Sequence, residues 1–253
     1  MISCLMVTQP GRLSECAASI ASFSRQTLKA RQLIIVHDGP DAFHQSLLTI
    51  ARQYPDDDIR IHAEHHQSLG RLRNRTVELA DHPVVCQWDD DDLNHPRRLE
   101  IQFEQMNQSQ AEFCFFTDQL HWFEPQGLMF WDNWNVESYP GNLIQGTLMG
   151  LRDKMGEYPD LSRGEDTPMV FGLAKQSTRI ATMRGFGWLN IYRYNGRNAW
   201  DMKHHLSISR LKHLRRDELE ARLKLLQEKL GDYEQDWRRI RFPHESGSFD
   251  LDF

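Results

Sequence analysis

Runs of apolar residues and amphipathic stretches alternate along the chain. Ile2 to Thr8 is an almost continuous apolar run of strand length, closed by Gln9-Pro10-Gly11; Leu13, Cys16, Ala17, Ile20 and Phe23 then recur at helical spacing as far as Ser24. Leu33 to Val36 reads as a second strand, ending in His37-Asp38-Gly39-Pro40. Strand, helix and strand within about 36 residues predict a βαβ unit. The same rhythm continues with a helix over Asp41 to Tyr54, a strand over Ile59 to His62 and a helix over Leu69 to Leu79. Val84 to Trp88 is a further strand-like run that stops in Asp89-Asp90-Asp91-Asp92. Beyond it the pattern predicts a helix over Arg97 to Met106 and strands over Phe113 to Thr117 and Thr178 to Met183, which together make an α/β chain.

The polar positions gather where strands end. Asp38 and Asp89 each follow a strand, so two independent segments point an acid at the edge where open α/β sheets bind ligands. If the extension persists through the tetrad, Asp89 and Asp91 share one side and Asp90 and Asp92 the other. Four adjacent carboxylates repel one another, and a hard divalent cation is the simplest compensation. A solvated acidic turn capping the helix near Pro96 is the plainer alternative. Gly70-Arg71-Leu72-Arg73-Asn74 places a glycine and two arginines at a helix start, which suits a diphosphate, although surface arginines are common. His65 and His66, without partners at ligand spacing, read as loop residues. Glu165-Asp166 at a helix start is by itself an ordinary acid cluster favoured by the macrodipole, which would lower its pKa.

Composition narrows the partners. At 253 residues and 40% hydrophobic content the chain can bury one substantial core, alone or with an appendage. The net charge of -6 and the acidic runs argue against nucleic acid. Cys4, Cys16, Cys86 and Cys114 lack C-x-x-C spacing and read as buried thiols in a reducing compartment, favouring neither zinc nor disulfides. With no basic segment ahead of the first strand and no run near the roughly 18 apolar residues of a membrane helix, a cytoplasmic protein is expected, at most peripheral to the inner face of a membrane.

Taken together, the closing Thr8, Asp38-Gly39, Gly70 with Arg73-Asn74, and Asp89 to Asp92 ahead of Pro96 and Leu99 resemble a family-2 glycosyltransferase of the GT-A fold, inverting and non-processive. That resemblance implies a Rossmann-like, mostly parallel central sheet flanked by helices, with a C-terminal amphipathic helix. It implies a nucleoside-diphosphate sugar bordered by Thr8, Gln9, Asp38, Arg73, Asp89 and Asp90, a UDP-sugar first among the candidates. It also implies Mn²⁺ or Mg²⁺ at the Asp-x-Asp pair Asp89 and Asp91, with Asp91 as the direct ligand and His204 or His205, more particularly His205, as a further one. Where the family often has Asp-Asp-Gly-Ser, this chain has His37-Asp38-Gly39-Pro40, which leaves the nucleotide open. A second match runs from Gly146-Thr147-Leu148-Met149-Gly150 to Arg163-Gly164-Glu165-Asp166, implying Asp166 as general base and Glu165 as its orienter. The aromatic end of the catalytic domain is similar too, from Tyr192 through Gly196 and Asn198 to Trp200. A glycan or lipid-linked hydroxyl in surface polysaccharide biosynthesis is the implied acceptor. A sugar nucleotidyltransferase and a catalytically silent binding or scaffold protein stand as alternatives.

The expected organisation is a catalytic domain over 1–207 (nucleotide-binding half 1–95, acceptor-binding half 96–207), an amphipathic extension over 208–237 and a flexible tail over 238–253. Between His121 and Tyr139 aromatic residues predict core or lid, with Trp131 and Trp134 partly exposed. Leu219, Leu223, Leu226, Leu230, Tyr233 and Trp237 form an apolar seam. Its flanking Arg210, Lys212, Arg215, Arg216, Arg238, Arg239 and Arg241 make a homodimer or an anionic membrane surface rivals to packing on the chain's own domain.

Overall fold

The computed structural model describes residues 1–65, 67–176, 179–198, 200–237 and 239–253, so the readings of His66, Thr178, Ala199 and Arg238 lie outside the described residues. The apolar runs become the inner strands of a seven-stranded sheet. β1 (Ile2–Thr8) lies between β2 (Arg31–His37) and β4 (Val84–Gln87), parallel to both, and β3 (Asp58–Ala63) continues the parallel order beyond β2. The residues of β1, β2 and β4 are buried from both faces, which is why they read as unbroken apolar runs. Helices α1 (Leu13–Ser24), α2 (Asp41–Ala51) and α3 (Leu69–Leu79) connect them. On the other side of β4 come β9 (Met149–Leu151), β6 (Phe113–Phe116) and β10 (Ile180–Met183).

The expected single, mostly parallel sheet needs correction. β9 runs antiparallel to both β4 and β6, and a second, mixed sheet of six strands stands beside the first. It contains β5 (Leu93–Asn94), β7 (Asp118–Phe123), β8 (Leu128–Asn133) and β11 (Asn190–Tyr194), joined by β12 (Arg239–His244) and β13 (Gly247–Asp252). The physical reason is that the chain changes sheet. β4 belongs to the first sheet and β5 to the second; β6 passes to β7 and β10 to β11 in the same way. The acid tetrad is the crossing point between β4 and β5.

Past β11 the chain forms α6 (Met202–Lys212), α7 (Arg216–Glu220) and α8 (Leu223–Gly231) rather than one long helix. Leu219, Leu226, Leu230, Tyr233 and Trp237 are buried in the same core as β1 and β4, so this seam is spent on the chain's own fold and is not open to a membrane or a second copy. Residues 239–252, expected as a loose tail, are an antiparallel hairpin. Ile240, Phe242 and Leu251 are buried, and Arg241 pairs with Leu128 of β8. Trp131, expected partly exposed, is buried, its indole N–H donating to Asp118 at 3.1 Å. All four cysteines are buried free thiols that pack as small apolar side chains. Among the described residues no helix is long and apolar enough to cross a membrane.

Candidate functional site

Four segments meet at the carboxyl ends of β1, β2 and β4. Asp89 accepts from Arg73 of α3, whose two terminal nitrogens each lie 3.2 Å from Asp89 Oδ1. Arg73 Nε also donates to Glu165 Oε1 at 2.5 Å, linking the tetrad to the start of α5 (Asp166–Lys175). Arg12, between β1 and α1, places one nitrogen 2.8 Å from Asp90 Oδ1 and 2.9 Å from Asp91 Oδ2. Asp92 turns the other way, toward Asn190 and the Arg193 backbone N–H, each at 3.4 Å. The expected alternation therefore fails, because the chain bends at Asp90 and Asp91 as it changes sheet and two successive carboxylates face the same guanidinium.

Helix α3 is built to hold the segment that carries Glu165. Gly70 meets the backbone of Pro159 so closely that an added Cβ would lie 1.9 Å from its carbonyl oxygen. Asn74 donates to the Tyr158 carbonyl and accepts from the Tyr158 N–H, both at 2.8 Å, and Arg71 pairs with exposed Asp160 at 2.8 Å. Gly70, Arg71, Arg73 and Asn74, read from the sequence as a diphosphate cradle, thus all clasp residues 158–165. That partner lies more than eighty residues downstream and leaves no local trace. Gln87 also escapes a sequence reading; its amide lies 3.3 and 3.2 Å from the two Asp89 oxygens.

Thr8 is buried at the end of β1, its hydroxyl beside Asp90 and Cys16. Gln9 and Asp38 are exposed at the rim, where Gly39 leaves room for Pro10 of the loop that carries Arg12. His205 is elsewhere. Its ring lies among His121, Tyr192 and Tyr194, and among the described residues no hydrogen bond or ring contact joins it to Asp91. Burial, with help from His121, lowers its pKa to about 4. His204 stacks on Trp200.

The charges are strained by enclosure. Burial and the neighbouring Asp90 push Asp91 up to about 7 against the pull of Arg12. Asp90 is also raised by burial, and Asp92 well above the usual range by burial and Asp91. Burial works against the Arg12 and Arg73 guanidiniums, but the carboxylates around them prevail and both are held above their ordinary value. Asp166 differs from the sequence expectation: burial raises its pKa, and neither Arg73 nor the Thr167 N–H at 2.7 Å reverses that. Desolvation outweighs the helix terminus here. Among the described residues no three His, Cys, Asp or Glu side chains group as a metal cluster. The oxygen donors nevertheless fit a hard divalent cation, since the buried carboxylates of Asp90 and Asp91 already share one cationic nitrogen between them.

The fold is similar to that of solved glycosyltransferase structures. Residues 11–121 match the family model described as glycosyl transferase family 2. The amylovoran biosynthesis glycosyltransferase AmsE of Erwinia amylovora is 31% identical over 108 residues, 42% of this chain and 39% of that protein. An uncharacterized glycosyltransferase of Methanocaldococcus jannaschii is 30% identical over 142 residues, 51% of this chain and 48% of its own. The matched region spans less than half the length of these curated relatives. Among solved structures, S. aureus TarS 1–349 in complex with UDP is similar at a TM-score of 0.61 and 14% identity, covering 92% of this chain and 79% of that one. The mannosyltransferase PcManGT of Pyrobaculum calidifontis, in complex with GDP-Man and Mn²⁺, is similar at 0.61 and 14%, covering 87% and 63%.

Proposed function

We propose that the chain transfers a sugar from a nucleoside-diphosphate sugar, a UDP-sugar first, to an acceptor hydroxyl with inversion at the anomeric carbon. The observation that carries this reading is the link from Asp89 through Arg73 to Glu165, which joins the tetrad to the start of α5. Thr8, Gln9, Asp38, Arg73, Asp89 and Asp90 border the nucleotide sugar. Asp89 and Asp91 form the Asp-x-Asp pair that would hold Mn²⁺ or Mg²⁺, and what such an ion supplies when bound is neutralisation of charge on the departing diphosphate. His205 is left out of this set, because its ring is enclosed among other aromatic rings. The Mn²⁺ of PcManGT supports the cation, and the UDP of TarS supports the donor class.

Arg73 fixes Glu165, the residue before Asp166, and Asp166 lies within the fields of Arg73 and Asp89, which supports a carboxylate turned toward the same site. Asp166 accepts the proton of the acceptor hydroxyl as that oxygen attacks the anomeric carbon; its raised pKa makes it a better acceptor than an ordinary aspartate. The acceptor is proposed as a glycan or lipid-linked hydroxyl in surface polysaccharide biosynthesis, at the cytoplasmic side. Incubation with a panel of nucleotide sugars and Mn²⁺ tests the reading. Slow release of free nucleoside diphosphate from at least one donor, lost in Asp91→Ala, is expected; no release from any donor would contradict it. Release of pyrophosphate from a nucleoside triphosphate and a sugar phosphate would instead mark a nucleotidyltransferase.

A further inference from the structure

We propose that Arg12 is an exchangeable internal cation, bridging Asp90 and Asp91 until a divalent ion held at Asp91 takes its place. The inference rests on the reading that this cleft takes such an ion. One Arg12 nitrogen bonds an oxygen from each of two successive carboxylates, at 2.8 and 2.9 Å, which is the bridging position of a small cation. A single guanidinium nitrogen is thus shared between two buried carboxylates. A divalent ion brings twice the charge to oxygens at about 2.0–2.2 Å, closer than any guanidinium can approach.

Arg12 is also the arginine that can leave. Arg73 is pinned on a helix between Asp89 and Glu165, whereas Arg12 stands on a surface turn after Gly11, whose φ of +93° suits glycine. Its departure would release a latch. Arg12 donates to the Arg197 carbonyl at 3.2 Å, Arg197 donates to the Gly11 carbonyl at 3.3 Å and pairs with Glu15 at 3.2 Å, and Asn198 donates to Asp91 at 3.3 Å. The loop after β1 and the segment after β11 are therefore held together over the acids while Arg12 is in place, and loosen when it goes.

The test is calorimetric titration of Mn²⁺ into nucleotide-free protein. Arg12→Gln is expected to bind Mn²⁺ at least about tenfold more tightly than the native chain, since an adjacent cation changes a carboxylate's affinity for a competing one by about that factor or more. Arg12→Lys, which keeps the charge, should stay closer to the native affinity than Arg12→Gln does. Equal or weaker binding by Arg12→Gln overturns the exchange and leaves the cation site standing. Mn²⁺ binding by neither protein overturns the cation reading and the exchange together. Should Arg12→Gln not fold, amide exchange in the native chain decides the matter: saturating Mg²⁺ should speed exchange at Gly11 to Leu13, and unchanged or slower exchange there would overturn the proposal.

Discussion

Asp166→Asn is expected to lower sugar transfer by about 100- to 10,000-fold, the usual contribution of a positioned general base, while nucleotide affinity changes little. Asparagine keeps the shape of the side chain and its bond from the Thr167 N–H, but it cannot accept the hydroxyl proton. On the proposed reading, donor binding depends on groups around Asp89 to Asp91 that the change leaves intact. The pH profile of transfer by the native chain carries the same information. A base must be ionised to work, and burial raises the pKa of Asp166, so activity should fall on acidification through a pH above the ordinary aspartate range. A transfer assay with donor and acceptor, paired with nucleotide titration, checks both. Native rates from Asp166→Asn would remove it as the base.

Arg73→Ala should be the most destabilising single change in the cleft, at about 3–5 kcal/mol, because it strips a buried carboxylate of its partner. Glu165 is 2% exposed, and Arg73 is the cation paired with it. Asp89 loses two hydrogen bonds in the same step. Much of the penalty belongs to the abandoned charge rather than to the lost bond, so adding Glu165→Gln to Arg73→Ala should recover part of it. Urea unfolding of the single and double variants measures this. A loss below about 1 kcal/mol in Arg73→Ala would mean that the link is an ordinary surface ion pair. The double variant should remain slow in transfer even where it regains stability, since nothing then fixes the residue ahead of Asp166.

The local elements were legible because their residues announce them. β1, β2 and β4 are buried on both faces and read as unbroken apolar runs; α1 and α3 begin and end where their periodicity does. Pairing was not legible. Nothing near Leu93 says that β5 leaves the first sheet to pair with β11, and that change of sheet bends the tetrad and buries Asp90, Asp91 and Asp92. Aspartates are ordinarily solvated, so a sequence alone assigns them unperturbed charges. The C-terminal hairpin did leave a signal. Ile240 and Phe242 alternate with charged neighbours, as do Phe249 and Leu251, but the glycine, proline and serines around them mask the period of two. The leucine seam misled in the opposite direction, since its spacing survives a break into α7 and α8. Arg12 is the clearest omission. Its partners lie 78 and 79 residues away, and a single arginine in a turn carries no hint of them.

The central claim is that acids far apart in the chain close around one cation and one diphosphate. A crystal structure with a nucleoside diphosphate and Mn²⁺, read through the anomalous signal of manganese, tests it most directly. The account predicts one strong peak bonded to Asp91 and to the diphosphate, with the base toward Asp38 and the carboxylate of Asp166 opening onto the same cleft. Manganese bound away from Asp89 to Asp91, or a nucleotide seated where Asp38 and Asp166 cannot both face it, would contradict it.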